Sequence, residues 1–548
     1  MLEGLMQNDF QLTIPAIARR LDSCYGDSEV ITLREDGPDH VDFATVSERV
    51  SRLARALDTF GIEPGDRVGT FAWNNQRHFE LYFAVPSVGA VLHTVNVRLF
   101  PEQIAYVIHH AGDRVVFIDD SLVPAILPLL DQLPNVERWV VMGEGRIPDG
   151  LPNAVAYEEL LEDAGPGSYD FPEIDERQAA SLCYTSGTTG NPKGVLYSHR
   201  SIALHSTTSC MTDSIGLSAA DRLLAIVPMF HVNAWGLPYS AALTGTDLIM
   251  PGPFLQGPPL ARLIEIERAT LIAGVPTVLS ALLDHVEREG GDLSSLRGGI
   301  CGGAAVPRSL MEGFERHGVE ILQAWGMTET APLLSIARPP AGREGEESWS
   351  DRVTAGRVSP WVEARIVGDD GLAPHDGEAV GEVQVRGPWV ASAYYRPDEG
   401  ADEEKFDGEW LRTGDIGAVD PRGFVRLTDR AKDLIKSGGE WISSVELETS
   451  IAEHPSVREA AVIAIPDDRW SERPLACVVL KEGREASPAE IREHLGDSFA
   501  RWQLPDSFAF VEEIPKTSVG KLDKKVLRAD FAEGRLPVVH AELVATND

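Results

Sequence analysis

One segment of the sequence combines the residue types that proteins use to hold phosphate groups. From Tyr184 to Val195 the chain reads Y-T-S-G-T-T-G-N-P-K-G-V. Glycines let backbone N–H groups turn toward an anion, hydroxyls add donors, and Lys193 supplies a full positive charge. The spacing differs from a Walker loop, because Pro192 stands where that pattern requires a Gly-Lys pair. A flexible turn between two short strands is the alternative, but the composition favours a phosphate-binding loop.

A second segment suits a nucleotide. The residues from Ala324 to Thr330 read A-W-G-M-T-E-T. The carboxylate of Glu329 can hold Mg²⁺ together with phosphate oxygens, and Trp325 can line an adenine ring. Thr328 and Glu329 also fit a helix N-terminus, so the start of a capped helix is the alternative interpretation.

Three further segments favour the same chemistry. The run G-G-A-A-V-P from Gly302 allows a ligand to approach the backbone closely, although paired glycines before a helix are common. In W-L-R-T-G-D the carboxylate of Asp415 can accept hydrogen bonds from two ribose hydroxyls, or it is an ordinary loop aspartate. A cationic cluster with Asp523 as its one acid is either functional or a solvated basic tail, and it comprises Lys516, Lys521, Lys524, Lys525 and Arg528.

The composition is that of a large globular enzyme with a strongly acidic charge. With 548 residues, 43% of them hydrophobic and 24% charged, we expect more than one core. A net charge of −36 argues against nucleic acid as a partner. The 5 cysteines form no C-x-x-C pair, so neither a disulfide framework nor a zinc site is predicted. The sequence shows no signal peptide and no membrane-spanning apolar stretch, and we expect a cytoplasmic protein.

Alternating helices and strands must position these segments in the first half of the chain. Thr45 and Glu48 have the spacing of a capping box and predict a helix with an apolar face as far as Leu57. The alternation that follows predicts an α/β domain with layered, largely parallel sheets. The predicted strands are Arg67–Trp73, Val91–Val95 and Val115–Ile118, and the predicted helices are Phe79–Gly89 and Pro101–His110.

The pattern changes toward the C-terminus. From about Val353 short strands punctuated by glycine predict a β-rich subdomain. After Asp429 a smaller α+β unit follows, with a helix at 445–452, strands at 457–465 and 475–480, and a helix capped at Ser487 that runs to about Phe499. The expected fold class is therefore α/β: a large N-terminal domain of layered α/β subdomains plus a β-rich subdomain, with a small α+β C-terminal domain.

Together these segments resemble the signature motifs of the adenylate-forming superfamily, which contains acyl-CoA synthetases, luciferases and peptide-synthetase adenylation domains. They follow in that family's order and spacing from Ala180 to Arg528. The run D-R-A-K-D-L-I-K-S-G-G-E from Asp429 resembles the family's interdomain hinge. The resemblance implies a large AMP-binding and acyl-binding domain at 1–428, a hinge at 429–434 and a mobile small domain at 435–548.

The resemblance also implies roles for individual residues. Lys521 matches the lysine that reaches the α-phosphate, and Lys436 matches a second lysine that serves thioester formation. The residues expected to act in catalysis are Lys521, Lys436, Thr185, Glu329 and His231, with Thr185 and Glu329 as metal ligands. Nucleotide and coenzyme A contacts are expected from Thr185, Ser186, Gly187, Thr188, Thr189, Gly190, Lys193, Gly302, Gly303, Ala304, Trp325, Gly326, Met327, Thr328, Asp415, Arg430, Lys432, Gly438, Gly439 and Lys521. Acid contacts are expected from His231, Trp235, Gly302 and Trp441.

The chemistry implied by the resemblance has two half-reactions that use ATP, Mg²⁺ and coenzyme A. A carboxylic acid attacks the α-phosphorus of ATP to give an acyl-adenylate and pyrophosphate, and the thiol of coenzyme A then displaces AMP. The small domain presents Lys521 in the first step and the Lys436 face in the second, and so rotates about the hinge. By analogy with relatives that dimerise through the large domain, we expect a homodimer.

The segment from Phe230 to Trp235 bears on the choice of acid. Amino-acid-activating relatives carry an aspartate where His231 stands, which counts against an amino-acid substrate; His231 lies near the acyl carboxylate or is a structural histidine. Trp235 matches the residue that gates the tunnel of bacterial fatty acyl-CoA synthetases, or it packs in a core. The chain resembles bacterial medium- and long-chain fatty acyl-CoA ligases, and ligases of 3-methylmercaptopropionate are near relatives of these. A non-catalytic acyl-adenylate or fatty-acid binding protein is disfavoured, because the lysines and Glu329 are present.

Overall fold

The computed structural model describes most of the chain. It leaves out residues 1, 3, 8, 146, 186–190, 369, 399, 431, 438, 439, 468, 497, 518–520 and 542–548, and the side chains of Glu440 and Trp441.

The strands are β1 Glu29–Arg34, β2 Gly37–Asp42, β3 Arg67–Phe71, β4 Val91–Thr94, β5 Asp113–Asp119, β6 Arg138–Met142, β7 Ala154–Ala156, β8 Ala179–Tyr184, β9 Gly194–Ser198, β10 Arg222–Ala225, β11 Asp247–Met250, β12 Leu271–Gly274, β13 Gly298–Gly302, β14 Glu320–Gly326, β15 Leu333–Ile336, β16 Gly356–Val358, β17 Glu363–Gly368, β18 Gly371–Ala373, β19 Gly381–Arg386, β20 Phe406–Asp407, β21 Trp410–Val419, β22 Phe424–Arg430, β23 Ile435–Ser437, β24 Glu440–Ile442, β25 Val457–Asp467, β26 Ser471–Leu480, β27 Ser507–Phe510 and β28 Val538–His540.

The α-helices are α1 Ile14–Ala18, α2 Arg20–Ser23, α3 Phe43–Thr59, α4 Gln76–Ser87, α5 Pro101–Ala111, α6 Val123–Ile126, α7 Tyr157–Ala164, α8 His199–Ser209, α9 Leu237–Thr244, α10 Gly257–Glu267, α11 Pro276–Glu289, α12 Arg308–Glu315, α13 Glu346–Arg352, α14 Ala401–Lys405, α15 Ser444–Ala452, α16 Pro488–Gly496 and α17 Lys524–Ala532. Short 3₁₀ turns lie at Asp120–Leu122, Leu127–Gln132, Val232–Gly236 and Thr328–Thr330.

The first sheet has the strand order β7-β6-β5-β3-β4-β8-β9. Its pairs are parallel except the last, in which β9 returns antiparallel to β8. Burial on both faces suits parallel strands that helices cover; β4, for example, is buried at every residue. The phosphate-binding segment is the connection between β8 and β9, at one edge of this sheet.

The second sheet runs across the large domain in the order β18-β17-β19-β21-β22-β16-β15-β14-β13-β12-β10-β11-β1-β2, with β20 beside β21. Strands β10 to β14 pair in parallel, whereas β14 pairs antiparallel with β15 and the strands beyond it follow suit. The parallel α/β part and the β-rich part are therefore one continuous sheet, which joins at β14.

The third sheet forms the smaller C-terminal domain, with the order β24-β23-β26-β27-β28 and β25 beside β26. Side chains of β25 alternate between its faces. Val462 packs with Leu447 and Ile491 from α15 and α16, while Ile463 packs with Leu527 from α17. Helices on both faces give the domain its own core.

The structure confirms the predicted alternation and shifts several boundaries. Helix α3 begins at Phe43, because the side chain of Asp42 accepts the N–H of Thr45; the predicted capping box at Thr45 and Glu48 is therefore wrong. The helix predicted from Phe79 starts a turn earlier, where Asn75 caps α4. In the described residues no helix is long and apolar enough to cross a membrane.

Candidate active site

The predicted segments meet in a cleft of ≈ 1840 Å³ between the large and small domains. Residues around the ends of β13, β14 and β22 and in the middle of β21 form its large-domain wall. Helix α15, strand β25 and the segment before α17 form its small-domain wall. Because β13 and β14 are parallel, their carboxyl ends open at the same edge of the sheet, where α/β proteins bind ligands. This cleft is the candidate active site.

The described part of the phosphate-binding segment lies at the rim of the cleft. The backbone N–H of Thr185 donates to the carbonyl of Lys193 (2.9 Å), and the N–H of Lys193 donates to Thr185 Oγ1 (3.0 Å). The Lys193 ammonium stands 5.0 Å from the centre of the Tyr394 ring. These contacts fix both ends of the loop. The predicted contacts of Ser186, Gly187, Thr188, Thr189 and Gly190 lie outside the described residues.

Glu329 is buried beside this rim and is held by a hydroxyl and a cation. The Tyr394 hydroxyl donates to Oε1 (2.6 Å), and Lys405 Nζ lies 3.9 Å from the same oxygen. Burial and the nearby Glu329 charge raise the pKa of Tyr394 well above its ordinary value, so the phenol remains a donor. Tyr197 fixes the preceding residue by donating to the Thr328 carbonyl (2.6 Å). The Glu329 carboxylate therefore has a fixed orientation, and the ring of the tyrosine that holds it also faces Lys193.

Asp415 lies on the same large-domain wall of the cleft, and three neighbours fix its position. It is 4% exposed. The indole N–H of Trp325 donates to Oδ2 (2.9 Å), and Arg430 Nε pairs with Oδ1 (2.8 Å). Its own N–H donates to Thr413 Oγ1 (3.0 Å). Since each carboxylate oxygen has two lone pairs, both oxygens can still accept a hydroxyl.

Glycines allow the strand ends at the cleft to approach their neighbours. A Cβ on Gly326 would lie 1.8 Å from the Pro332 carbonyl oxygen, and one on Gly302 would lie 2.7 Å from the Ala324 oxygen. Any side chain at either position requires the backbone to move. The two glycines at the ends of β13 and β14 therefore have a packing role whatever ligand the cleft holds.

Lys521 reaches this wall from the small domain. Its ammonium lies close enough to Arg430, Asp415 and Glu329 to sense their charges. Burial, reinforced by Arg430, lowers the pKa of Lys521 to about 8, although both carboxylates act in the opposite direction. The amine is thus still mostly protonated at neutral pH. A bound anion would stabilise that charge.

His231 stands at the entrance to a left-handed turn. The φ angles of Val232, Asn233, Ala234 and Trp235 are 46°, 45°, 48° and 56°. This conformation costs an L-residue roughly 1–2 kcal/mol, so four in succession need strong support.

Buried amides supply that support. Asn233 is 3% exposed; its Nδ2 donates to Ser181 Oγ (2.7 Å), and its Oδ1 accepts from Cys183 Sγ (2.8 Å). Asn74 holds the approach to the turn, because its Nδ2 donates to the carbonyls of Ala225 (2.9 Å) and Val227 (2.7 Å). Both amides tie the turn to the cores of the sheets beside it.

The turn brings His231 and Trp235 to a pocket in the cleft with an apolar lining that includes Ile215, Ile300 and Leu333. Burial, together with the Lys521 charge, lowers the pKa of His231 to about 3, so its imidazole is neutral at physiological pH. Trp235 Cη2 lies 3.2 Å from where a Gly302 Cβ would stand. The pocket thus joins an apolar surface to the cationic end of Lys521.

Some predicted residues lie elsewhere. Lys436 is exposed on β23, and it is not among the described residues that line the cleft. Lys432, Gly303, Ala304, Met327 and Thr328 do line it. Gly438, Gly439 and the Trp441 side chain fall outside the described residues, so their predicted contacts stay predictions.

Sequence reasoning missed Tyr394, Lys405, Asn74 and Asn233 as parts of this site. Lys405 follows the acidic run A-D-E-E, and its place beside Glu329 depends on contacts between segments far apart in sequence. In a chain with a net charge of −36, a lysine inside an acidic run was the available signal.

Comparisons with known proteins agree with this geometry. The sequence model described as "AMP-binding enzyme" matches residues 22–395, and that of the "AMP-binding enzyme C-terminal domain" matches residues 446–521. The chain is 45% identical to a long-chain-fatty-acid–CoA ligase of Thermus thermophilus, over 95% of this chain and 96% of the relative. It is 44% identical to a 3-methylmercaptopropionyl-CoA ligase of Ruegeria lacuscaerulensis, over 93% of this chain and 95% of the relative. The solved anthranilate CoA ligase in complex with anthranoyl-AMP superposes with a TM-score of 0.86 at 27% identity, covering 97% of this chain and 99% of that one.

Proposed function

Because this chain belongs to the AMP-binding enzyme family, we propose that it is an AMP-forming acyl-CoA ligase, which joins a carboxylic acid to coenzyme A with cleavage of ATP. One observation carries the proposal. Lys521 of the small domain lines the same cleft as the carboxylates of Asp415 and Glu329 and the neutral imidazole of His231. That is where an α-phosphoryl group would stand between a ribose and an acid.

In the first half-reaction an oxygen of the carboxylate attacks the α-phosphorus, and the bond to the bridging oxygen of pyrophosphate breaks. Lys521 and Arg430 offset the charge that builds on the phosphoryl group. Asp415 accepts the ribose hydroxyls, Lys193 holds the outer phosphates, and the neutral His231 donates to the acid. Burial of Asp415 and Glu329 strengthens their electrostatic interactions.

Mg²⁺ fits the donor set at the rim. Glu329 and the Thr185 hydroxyl present oxygen donors, which this ion prefers. Among the described residues no three His, Cys, Asp or Glu side chains gather to hold a metal, so phosphate oxygens would complete the coordination. When bound, the ion neutralises charge on the phosphates.

In the second half-reaction the sulfur of coenzyme A attacks the acyl carbon, and AMP leaves with the electrons of the C–O bond. Lys436, which is exposed in the present pose, serves this step after the small domain has turned. We place the turning segment at 429–434, between a large domain at 1–428 and a small domain at 435–548. The homodimer and the cytoplasmic location stay predictions.

The acid that we propose is a medium- or long-chain fatty acid, with 3-methylmercaptopropionate or another short acid as the second candidate. The apolar lining of the pocket beside Trp235 supports an aliphatic chain. A neutral His231, in place of an aspartate, supports an acid without an ammonium group. The near-equal identity to ligases of both acids keeps both candidates in view.

The test is acid-dependent and coenzyme A-dependent release of AMP from ATP, measured for straight-chain acids from acetate to stearate and for 3-methylmercaptopropionate. A maximum of kcat/KM at octanoate or longer establishes the fatty-acid ligase. A maximum at butyrate, hexanoate or the sulfur acid establishes the second candidate. Absence of AMP release with every acid, from protein that circular dichroism shows to be folded, contradicts the proposed function.

A further inference from the structure

Strand β22, the last strand of the second sheet in chain order, ends with two adjacent charged residues whose side chains have different partners. At the end of β22, Arg430 pairs with Asp415 in the cleft. Asp429 also borders the cleft, but it is 4% exposed and its carboxylate bonds to the small domain. A buried carboxylate needs hydrogen-bond partners.

Those partners are in the small domain. Asp429 Oδ2 accepts from the backbone N–H of Ser444 (2.6 Å) and from its hydroxyl (2.5 Å), while Oδ1 accepts the N–H of Arg430 (2.7 Å). Ser444 is the first residue of α15, so the carboxylate meets the positive end of a helix. The preceding Ser443 donates to the carbonyl of Thr428. The end of β22 and the start of α15 are thus bonded at adjacent residues.

The chain of bonds continues to the root of the Lys521 segment. Lys524 Nζ donates to Ser444 Oγ (2.6 Å) and pairs with Glu448 Oε1 (2.7 Å). Because the Ser444 hydroxyl donates its proton to Asp429, its oxygen can accept from Lys524. The Lys524 ammonium, the Ser444 hydroxyl and the Asp429 carboxylate therefore form a series of hydrogen bonds that all point the same way and polarise one another. The Lys524 side chain is 10% exposed, so solvent screens the series weakly.

Lys524 begins α17 three positions after Lys521. The segment between them is short and closed: the Asp523 N–H donates to the Pro515 carbonyl (2.8 Å), and the Thr517 N–H donates to the Lys521 carbonyl (2.7 Å). Because these two hydrogen bonds hold the loop against the start of α17, a shift of Lys524 is expected to shift Lys521. Strand β22 thus places Arg430 on the large-domain wall of the cleft and, through these bonds, holds the backbone near Lys521 on the small-domain wall.

We propose that Asp429 is a positioning residue, which holds Lys521 in the cleft through Ser444 and Lys524 and acts on the adenylate-forming step alone. The proposal rests on the proposed function for its kinetic part. Asp429 contacts no reacting atom. The thioester-forming step does not use Lys521, so loss of this series leaves that step intact.

The experiment compares Asp429→Ala and Ser444→Ala with the control Asp506→Asn. Asp506 pairs with Arg473 and Arg492 inside the small domain, and so it matches the chemistry without reaching β22. Adenylate formation is measured by acid-dependent exchange of labelled pyrophosphate into ATP. The second step is measured in single turnovers from synthetic acyl-adenylate and coenzyme A.

For Asp429→Ala we expect pyrophosphate exchange to fall roughly tenfold or more, with the second step within about twofold of wild type or faster. Ser444→Ala retains its backbone N–H, and a loss of about threefold in the same step is expected. The control keeps the wild-type ratio of the two rates. A parallel loss in both steps, or an unchanged ratio in both variants, overturns the proposal.

A labelling readout separates this proposal from the proposed function. Acylation of Lys521 by an amine-reactive ester is followed by mass spectrometry in the ligand-free protein, relative to the exposed Lys525. We expect labelling of Lys521 to rise about threefold in Asp429→Ala and to stay unchanged in Asp506→Asn. If labelling of Lys521 rises in Asp429→Ala but the wild-type protein exchanges no pyrophosphate, the ligase function is contradicted and the positioning role of Asp429 is retained. Unchanged labelling of Lys521 in Asp429→Ala overturns the positioning role.

Discussion

The large-domain wall of the cleft is fixed by contacts within its own sheet, whereas the small-domain wall depends on bonds that cross between domains. Gly302, Gly326 and the Trp325–Asp415 pair belong to β13, β14 and β21, which neighbouring strands hold in register. Lys521 depends on a short loop that is joined to the end of β22 through Lys524 and Ser444, while Arg528 of α17 pairs with Asp433 just beyond that strand. The large-domain wall is already formed and can bind the nucleotide. The small-domain wall, which brings Lys521, can move away between adenylate formation and thioester formation.

The largest effect is expected from removing the Lys521 ammonium, which the small-domain wall contributes. Lys521→Ala is expected to lower pyrophosphate exchange by about 100- to 1000-fold, because one cation is lost where charge develops. Binding of Mg·ATP, which the large-domain wall provides, should weaken much less. Calorimetry of ATP binding and exchange kinetics check both parts. Lys525→Ala, in the same basic cluster, is the control, and an equal loss of exchange there would contradict the assignment.

A side chain at Gly326 tests the preformed wall. The added Cβ of Gly326→Ala would stand 1.8 Å from the Pro332 oxygen, so the strand end must shift. We expect a loss of about 1–3 kcal/mol in the free energy of unfolding and weaker ATP binding. Gly496→Ala, whose Cβ would meet nothing within 4 Å, should leave both unchanged. Denaturant titrations are the measurement, and equal stability of the two variants would show that the wall is not tightly packed.

A finer test removes one hydrogen bond from the same wall. Trp325→Phe keeps an aromatic ring and loses the N–H that donates to Asp415. The KM for ATP is expected to rise roughly threefold to tenfold, with little change in kcat, because Asp415 loses one orienting donor but keeps its ion pair with Arg430. A fall in kcat at constant KM would instead place Trp325 in the chemical step. Trp502→Phe, at an exposed indole of the small domain, provides the comparison.

The smallest effect is a proton taken up on binding. The pKa of Lys521 is lowered to about 8 in the empty cleft, and phosphate oxygens should raise it. Binding of Mg·ATP near pH 8 should therefore take up part of a proton, whereas at pH values well below 8 the amine is already charged and uptake should vanish. Calorimetry in buffers of different ionisation enthalpy measures this quantity. Lys521→Met should abolish the uptake, and an uptake that persists there belongs to another group.

The sequence predicted the motif residues better than the contacts between them. Glu329, Asp415 and Lys521 are visible because each needs a local run of glycine or hydroxyl residues, and the structure brings them to one cleft. Tyr394 and Lys405 are not visible in this way, since their contacts with Glu329 join segments that are remote in the chain.

The same limit applies to the fold. Periodicity located α3, but the choice between Asp42 and Thr45 as its cap depends on which residue the β2 hairpin places at the helix start. The left-handed turn from Val232 to Trp235 left no local pattern, because the Asn233 side chain that stabilises it donates to Ser181 on the distant strand β8. Local sequence patterns therefore predict helices and strands, whereas contacts between residues that are distant in sequence decide where these elements begin and end.

The pairing of β1 with β11 also affects the order in which the sheets can form during translation. Val30 lies beside Leu248 and Thr32 beside Met250 in parallel register. A ribosome releases β1 and β2 early, yet β11 follows only after the whole first sheet has emerged. That sheet closes within residues 67–198, while one edge of β1 has no strand to join until β11 arrives. Long-range parallel pairing of this kind is slow, so we expect nascent chains that end before residue 247 to be the ones that need a chaperone.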